Sequence, residues 1–445
     1  MLNKLFKLDE RNTNAKTEVV AGITTFIAMA YILGVTPSML ADVGMPATGV
    51  FFATAIASAI ACILMGFVAN WPVGLAPGMG LNALLTYSII LGMGCSWNAA
   101  FAAVVLSSII FLIIIISGLM ESIFNIIPTD LKLGIGAAIG FFLAFIGLKG
   151  AGIIVSDPST FVTLGSMTYA PALLALIGIL ITLIFYIQKV PGAVFFGLII
   201  TTILGLIFTV FGFGTGDSLM PSVPAELVSF SFDTSLVGGF MSGFGELFSN
   251  IPNLIMMLFS LVFVCFFDTT GTLLGIAKQA GYIDEDDEIE GIEKAFLVDA
   301  LSGLIGSIFG TSTLTAYVES AAGVGVGGRT GLAAVVTGIL FLLSVFFAPT
   351  ILALFTPAVT SAAVVMVGVL MIMQLKDVQL DNLVVASSVF MTIIMMVLTY
   401  SISIGIAWGF VTYTVATIAT GKYKELSWGI WVLAILFFLY LLFGL

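Results

Sequence analysis

Apolar positions along this chain neither alternate nor keep to one helical face; they come in long, nearly unbroken blocks separated by short polar stretches. The blocks fall at 18–36, 48–69, 74–92, 97–120, 132–149, 169–188 and 191–213, and then, beyond a polar stretch rich in Gly, Pro and Ser at 214–250, at 251–277, 292–309, 312–325, 329–348, 358–374, 382–399, 402–420 and 427–443. A helix needs about 20 apolar residues to cross a bilayer, which is the length of most of these blocks. Membrane strands instead alternate over segments of about ten residues, so helices are expected throughout. The pattern predicts an all-α polytopic membrane protein. Two blocks, 74–92 and 312–325, are short or broken by Gly, Pro, Ser and Thr, and each is the third of its series.

The two series look like repeats. Asn82, counted from residue 18, and Glu319, counted from residue 251, fall at nearly the same depth, as do Pro128 and Pro357. Seven crossings in each series would give the halves opposite orientations. An inverted repeat with matching broken helices is the sequence pattern that points to a secondary transporter's binding site. The expected organisation is a tail at 1–17, a first repeat at 18–213, an external connection at 214–250, a second repeat at 251–420 and a C-terminal segment at 421–445; its block brings the count to fifteen, so either one block does not cross or this segment is an extra helix.

Composition sharpens this picture. Of 445 residues, 60% are hydrophobic and 8% charged, against about 25% charged in soluble domains, and the mean hydropathy is +1.24. A nucleic-acid binder, a secreted disulfide scaffold and a soluble enzyme are excluded. If every block crosses and the tail is cytoplasmic, 12 of the 13 basic residues fall on the cytoplasmic side and only Lys149 lies outside, as the positive-inside rule requires. The net charge of −11 is concentrated in a loop carrying Asp284, Glu285, Asp286, Asp287, Glu288, Glu290 and Glu293, which reads as solvated. Cys62, Cys95 and Cys265 lie in apolar stretches without metal-ligand spacing and read as small buried hydrophobes. There is no histidine, so any proton chemistry has to run on carboxylates.

Three segments carry candidate chemistry. In Trp71-Pro72-Val73-Gly74-Leu75-Ala76-Pro77-Gly78-Met79-Gly80-Leu81-Asn82, Pro and Gly delay the helix until about Gly78, leaving an extended stretch and a half-helix whose first N–H groups are unpaired. Irregular backbone at membrane depth has to be buried or line a cavity, and Asn82 adds an amide that donates and accepts. Glu319 is isolated within an uncharged stretch from Leu301 to Gly328, and Asp268 is the only formal charge between Glu246 and Lys278. A charge at the bilayer centre costs about 2.5–3.5 kcal/mol, which marks such residues as functional candidates. Thr269, Thr270 and Thr272 supply hydroxyls beside Asp268, and Phe266 and Phe267 supply flat apolar faces. A carboxylate, a carboxamide and an aromatic wall suit a planar heterocycle with edge donors and acceptors. Asp299 is a weaker candidate, read as solvated by the nearby acidic loop. Gly214-Thr215-Gly216-Asp217 and Pro171-Ala172-Leu173 imitate intramembrane aspartyl protease signatures in reversed order, without a second facing carboxylate. The glycine run 323–331 lacks the Gly-Lys-Ser/Thr of a phosphate loop. With no nucleotide-binding domain, the driving force has to be an ion gradient.

Together, the stretches 76–83, 267–273 and 311–323 continuing to 328–332, with 17–26 at the start, resemble the AzgA-like adenine/guanine/hypoxanthine permeases, a branch of the nucleobase–cation symporters that also holds xanthine and uracil permeases. The resemblance implies about fourteen transmembrane segments in two inverted sevens, with core and gate domains and a purine nucleobase held between the half-helices. It places Asn82, Asp268, Glu319, Gly80 and Thr272 at the substrate, with Asp268 or Glu319 carrying the coupling proton and no metal or cofactor. It also implies a homodimer formed through the gate domain. The expectation is therefore a proton-coupled purine importer of the cytoplasmic membrane. An anion carrier of the same architecture is the nearest alternative, disfavoured by two intramembrane acids, and a passive channel the next.

Overall fold

In a computed structural model that describes residues 2–119, 127–190, 192–282 and 289–443, the apolar blocks fold as helices, and the two broken blocks each combine a three-residue strand with a helix. After a short α1 (Leu2–Phe6), the first series comprises α2 (Ala15–Met29), α3 (Ile32–Ala41), α4 (Ala47–Leu64), β1 (Leu75–Pro77), α5 (Met79–Ala83), α6 (Trp97–Ile116), α7 (Thr129–Gly150), the hairpin β2 (Ile154–Asp157) and β3 (Phe161–Leu164), α8 (Ala170–Ile187) and α9 (Ala193–Val210). A polar connection ending in α10 (Phe244–Leu247) leads to α11 (Ile251–Ala280), α12 (Ile292–Phe309), β4 (Leu314–Ala316), α13 (Ser320–Gly325), α14 (Gly331–Ser344), α15 (Ala348–Leu354), α16 (Pro357–Ile372), α17 (Leu383–Leu398), α18 (Ile402–Ala419) and α19 (Trp428–Phe443). Among the described residues, ten helices are long and apolar enough to cross a membrane, and 79–92, 383–398 and 428–442 are shorter apolar helices. The acids at 284–288 lie outside the described residues.

Local chemistry explains the breaks. The Asn14 side chain accepts from the Thr17 N–H and starts α2. The chain then turns at Ala30–Tyr31 before α3, whose interior Pro37 lacks an N–H to donate. Beyond α4, a wide π-helical turn, Met65–Ala69, ends at Asn70 in the left-handed region (φ 54°). A second π-helical stretch, Leu84–Gly92, extends α5. Such widened turns recur at functional sites.

The helices pack as two groups. In the first, α14 lies against α2 and α4 of the first series, while α6 of the first series lies against α11 and α12 of the second. That reciprocity is what an inverted repeat produces. In the second group, α7, α8 and α9 pack with α16, α17 and α18. Its central contact is α7 on α16, where a Cβ on Gly368 would come within 2.5 Å of the Gly140 carbonyl oxygen. Only paired glycines permit that approach, the usual device for helix contact in lipid. The extra helix α19 packs on α18, with Phe437 and Phe410 rings 5.3 Å apart. Exposed Ile113, Ile116, Ile184, Ile187, Phe390 and Leu398 give the outer faces an apolar surface suited to lipid.

Candidate functional site

The site grows from the two broken segments. β1 and β4 pair antiparallel, with Leu75 opposite Ala316, Ala76 opposite Thr315 and Pro77 opposite Leu314. The pairing is extended by Gly78 N–H to the Thr313 carbonyl (3.0 Å) and Tyr317 N–H to the Gly74 carbonyl (3.0 Å). Backbone groups that would be orphaned inside a membrane thereby satisfy each other. From this crossing, α5 and α13 lead away, so two helix N-termini flank it.

Three carboxylates from neighbouring elements surround the crossing. Asp268 of α11 accepts a hydrogen bond at Oδ2 from the Thr315 hydroxyl (3.1 Å). Glu319, at the start of α13, accepts at Oε1 from the Tyr31 hydroxyl (2.7 Å). Asp299 of α12 accepts from the Thr269 hydroxyl at Oδ2 (2.6 Å) and from the Ala316 N–H at Oδ1 (2.7 Å). The Tyr317 hydroxyl crosses to the Pro77 carbonyl at 2.5 Å. A Cβ on Gly78 would sit 2.9 Å from the Thr315 hydroxyl and 3.4 Å from Asp268 Oδ2, so the absence of a side chain there lets the carboxylate reach the strands.

One side of this site is open. Asp268 and Glu319 are partly exposed, and Gly271, Leu274, Gly275 and Lys278 continue from Asp268 at three- and four-residue spacing as an exposed stripe of α11. Among the described residues, nothing would meet a Cβ at Gly271 or Gly275. The stripe runs toward the end of the molecule that carries the N-terminus, where Tyr282 meets Arg11. The second helix group faces it: Lys132 Nζ of α7 lies 5.7 Å from the Phe267 ring centre.

Of the residues expected from sequence, Asp268 and Glu319 stand at the crossing beside the open face. Asn82 lies one turn into α5, is fully buried and donates from Nδ2 to the Thr36 hydroxyl of α3 (2.9 Å), while its Oδ1 has no partner among the described residues. Gly80 faces α7, where a Cβ would meet Ile139 at 3.1 Å. Thr272 is buried one turn from Asp268. Asp299, expected to be solvated, is completely buried: Thr269 of α11 and Ala316 of β4 cover it. Tyr31 and Thr315 were not singled out. A tyrosine just ahead of Pro37 within an apolar block was the available signal for the first, and a threonine run ahead of Glu319 for the second.

Two helix groups, each drawn from both halves of an inverted repeat, with charged residues beside paired strand–helix breaks, define a membrane transporter, not an enzyme. The chain belongs to the permease family, whose xanthine/uracil permease profile matches residues 16–408. It is 41% identical to the guanine/hypoxanthine permease PbuG of Bacillus subtilis, covering 99% of this chain and 100% of that one. It is 38% identical to the adenine permease AdeP of Escherichia coli, covering 100% and 96%. Among solved structures it resembles the transmembrane domain of a cyanobacterium bicarbonate transporter, BicA, with a TM-score of 0.62 over 88% of this chain and 96% of that one. At 15% identity, that likeness concerns the fold alone.

Proposed function

We propose that this protein imports purine nucleobases (hypoxanthine, guanine or adenine) across the cytoplasmic membrane together with a proton, its N-terminus in the cytoplasm. Residues 18–213 and 251–420 form the two repeats, and the group holding β1 and β4 moves against the group built on α7 and α16 to give alternating access. The observation that carries the reading is the pair of carboxylates, Asp268 and Glu319, each bonded to a hydroxyl and partly open at the strand crossing. A purine presents N–H donors at both rings, and carboxylate acceptors match them. The names of full-length relatives, guanine/hypoxanthine and adenine permeases, support the substrate class.

Proton coupling rests on chemistry. With no histidine in the chain, carboxylates are the groups suited to exchange a proton, and of the three at the crossing Asp268 and Glu319 are the two with an open side. One proton moving through about 100 mV supplies roughly 2.3 kcal/mol, enough for roughly fifty-fold accumulation. Purified protein in liposomes should accumulate labelled hypoxanthine when an inward proton gradient is imposed and lose that accumulation on adding a protonophore. Glu319→Gln and Asp268→Asn should each abolish accumulation. Uptake indifferent to the gradient would remove the coupling, and competition by sulfate but not by purines would return the anion-carrier alternative.

A further inference from the structure

Asp268 lies on a face of α11 that the fold leaves uncovered, and the residues that follow it there are unusual for a membrane helix. Gly271 and Gly275 stand on that face one and two turns beyond Asp268, both exposed, and nothing among the described residues lies within 4 Å of where either Cβ would be. Elsewhere in the helices of ten or more residues from α2 to α18, every interior glycine serves close packing: a Cβ would come within 3.1 Å of a neighbouring atom, as at Gly22 against the Ala333 carbonyl oxygen (2.5 Å). Glycine is the poorest helix former after proline, so these two weaken α11 with no packing gained. Lipid does not explain them. The outer surfaces carry large side chains such as Ile113, Ile184 and Phe390, whereas this face carries Asp268, a group costly against hydrocarbon. The second helix group also stands across from it, at the approach of Lys132 to Phe267. The empty space over Gly271 therefore belongs to the cleft between the two groups, beside the carboxylate.

We infer that Gly271 is a specificity-determining residue: its missing side chain leaves the room that the second ring of a two-ring base takes up when the first meets Asp268. The inference rests on the nucleobase reading above. One turn before Asp268, Val264 and Cys265 are buried, so the uncovered face extends only toward Gly271. At 1.5 Å rise per residue, Gly271 lies about 4.5 Å along α11 from Asp268 and Gly275 about 10.5 Å. A flat fused-ring base held at the carboxylate covers the next turn of the helix and falls short of the one after it. A methyl group at 271 takes space from the ligand, whereas one at 275 only narrows the approach.

The test compares Gly271→Ala with Gly275→Ala, because alanine adds the same methyl and the same gain in helix propensity at both positions. Hypoxanthine uptake into proteoliposomes gives the half-saturating concentration, and thermal unfolding in detergent gives the stability. Gly271→Ala should raise the half-saturating concentration about tenfold, the effect of one methyl forced into filled space, while Gly275→Ala stays within about twofold of native. Both variants should unfold no lower than the native protein, since each methyl enters open space. Native half-saturation in Gly271→Ala, or equal losses at the two positions, overturns the inference. A lowered unfolding temperature in Gly271→Ala overturns it too, because the glycine would then be a packing residue. As a second measurement, Gly271→Cys in detergent should react more slowly with a small water-soluble thiol reagent when hypoxanthine is present, and a rate indifferent to the base counts against the inference in the same way. Native protein that takes up no purine at all is a failure of the transport reading instead.

Discussion

At the scale of single residues, Asp299 and Gly78 do the most to hold the strand crossing in place. The Asp299 carboxylate joins α12 to α11 through Thr269 and to β4 through the Ala316 N–H, and it is fully buried. Asp299→Ala would leave that N–H without an acceptor, at a cost of about 1–3 kcal/mol. Asp299→Asn keeps an oxygen for Ala316 and an amide able to donate to Thr269. Thermal unfolding in detergent should therefore show a clear loss for the alanine variant and a much smaller one for asparagine. Equal losses would mean that the charge, not the pair of hydrogen bonds, does the bracing. Gly78→Ala would place a methyl 2.9 Å from the Thr315 hydroxyl, closer than real Cβ atoms come. It should break the Thr315–Asp268 contact and lower substrate uptake at least tenfold at near-normal expression, whereas uptake within twofold of the native rate would show that the contact is dispensable.

At the scale of elements, the N-terminal segment acts as a staple across one end of the first helix group. The Arg11 guanidinium donates to the Asn70 carbonyl (3.0 Å), the Arg329 carbonyl (3.1 Å) and the Tyr282 hydroxyl, and it stacks 4.3 Å from the Tyr282 ring centre. Glu18, buried at the start of α2, accepts from the Arg329 and Thr330 N–H groups at 2.8 and 3.2 Å. The ends of α2, α4, α11 and α14 are thereby tied together. The Arg11–Glu290 ion pair (3.0 Å) contributes little because Glu290 is 61% exposed. The buried hydrogen bonds are the larger effect. Arg11→Ala should destabilise by about 2–4 kcal/mol, and Arg11→Lys should recover little, since an ammonium cannot reproduce the fork; thermal unfolding of both variants checks this. None of it was legible in the sequence, where the first 17 residues read as a plain polar tail. The helices themselves were legible because lipid demands long apolar blocks, and the breaks near Gly78 and Glu319 because Pro and Gly stop a helix. The pairing of β1 with β4 was not: three residues are too few to show alternation, and their partners are set by tertiary packing. The β2–β3 hairpin was missed for a related reason. Its turn is built by Asp157 Oδ1 accepting from the Ser159 and Thr160 N–H groups (2.8 and 2.9 Å), with Phe161 at φ 67°, a residue that no turn rule selects.

At the scale of the whole molecule, the two ends differ. The end carrying the N-terminus leaves the α11 stripe open beside Asp268, whereas the far end is sealed by contacts between the two helix groups. There Tyr87 packs edge-on against Tyr400 (5.1 Å between ring centres) and Phe142 (6.5 Å), Phe142 against Tyr400 (5.3 Å), and Lys149 Nζ lies 4.3 Å over the Tyr400 ring. Tyr87 also donates to Asp42 Oδ2 at 2.8 Å, and the Ile402 N–H donates to the Ser88 hydroxyl oxygen at 2.8 Å. Tyr87 and Ser88 belong to the π-helical extension of α5, so the seal is continuous with the half-helix that starts at the strand crossing. Loss or gain of substrate at the crossing can therefore bear directly on the seal. If the groups move against each other as proposed, these contacts have to part once in every cycle. The backbone of Ile402 lies close enough to Ser88 for a cysteine pair to bridge within the ordinary Cα separation of about 4.4–6.8 Å. The double variant Ser88→Cys, Ile402→Cys should lose hypoxanthine uptake on oxidation and regain it on reduction, while each single variant transports under both conditions. The oxidised protein should still bind substrate, because the opposite face stays open. Uptake unaffected by a formed cross-link would show that the seal does not part and that the path through this protein lies elsewhere.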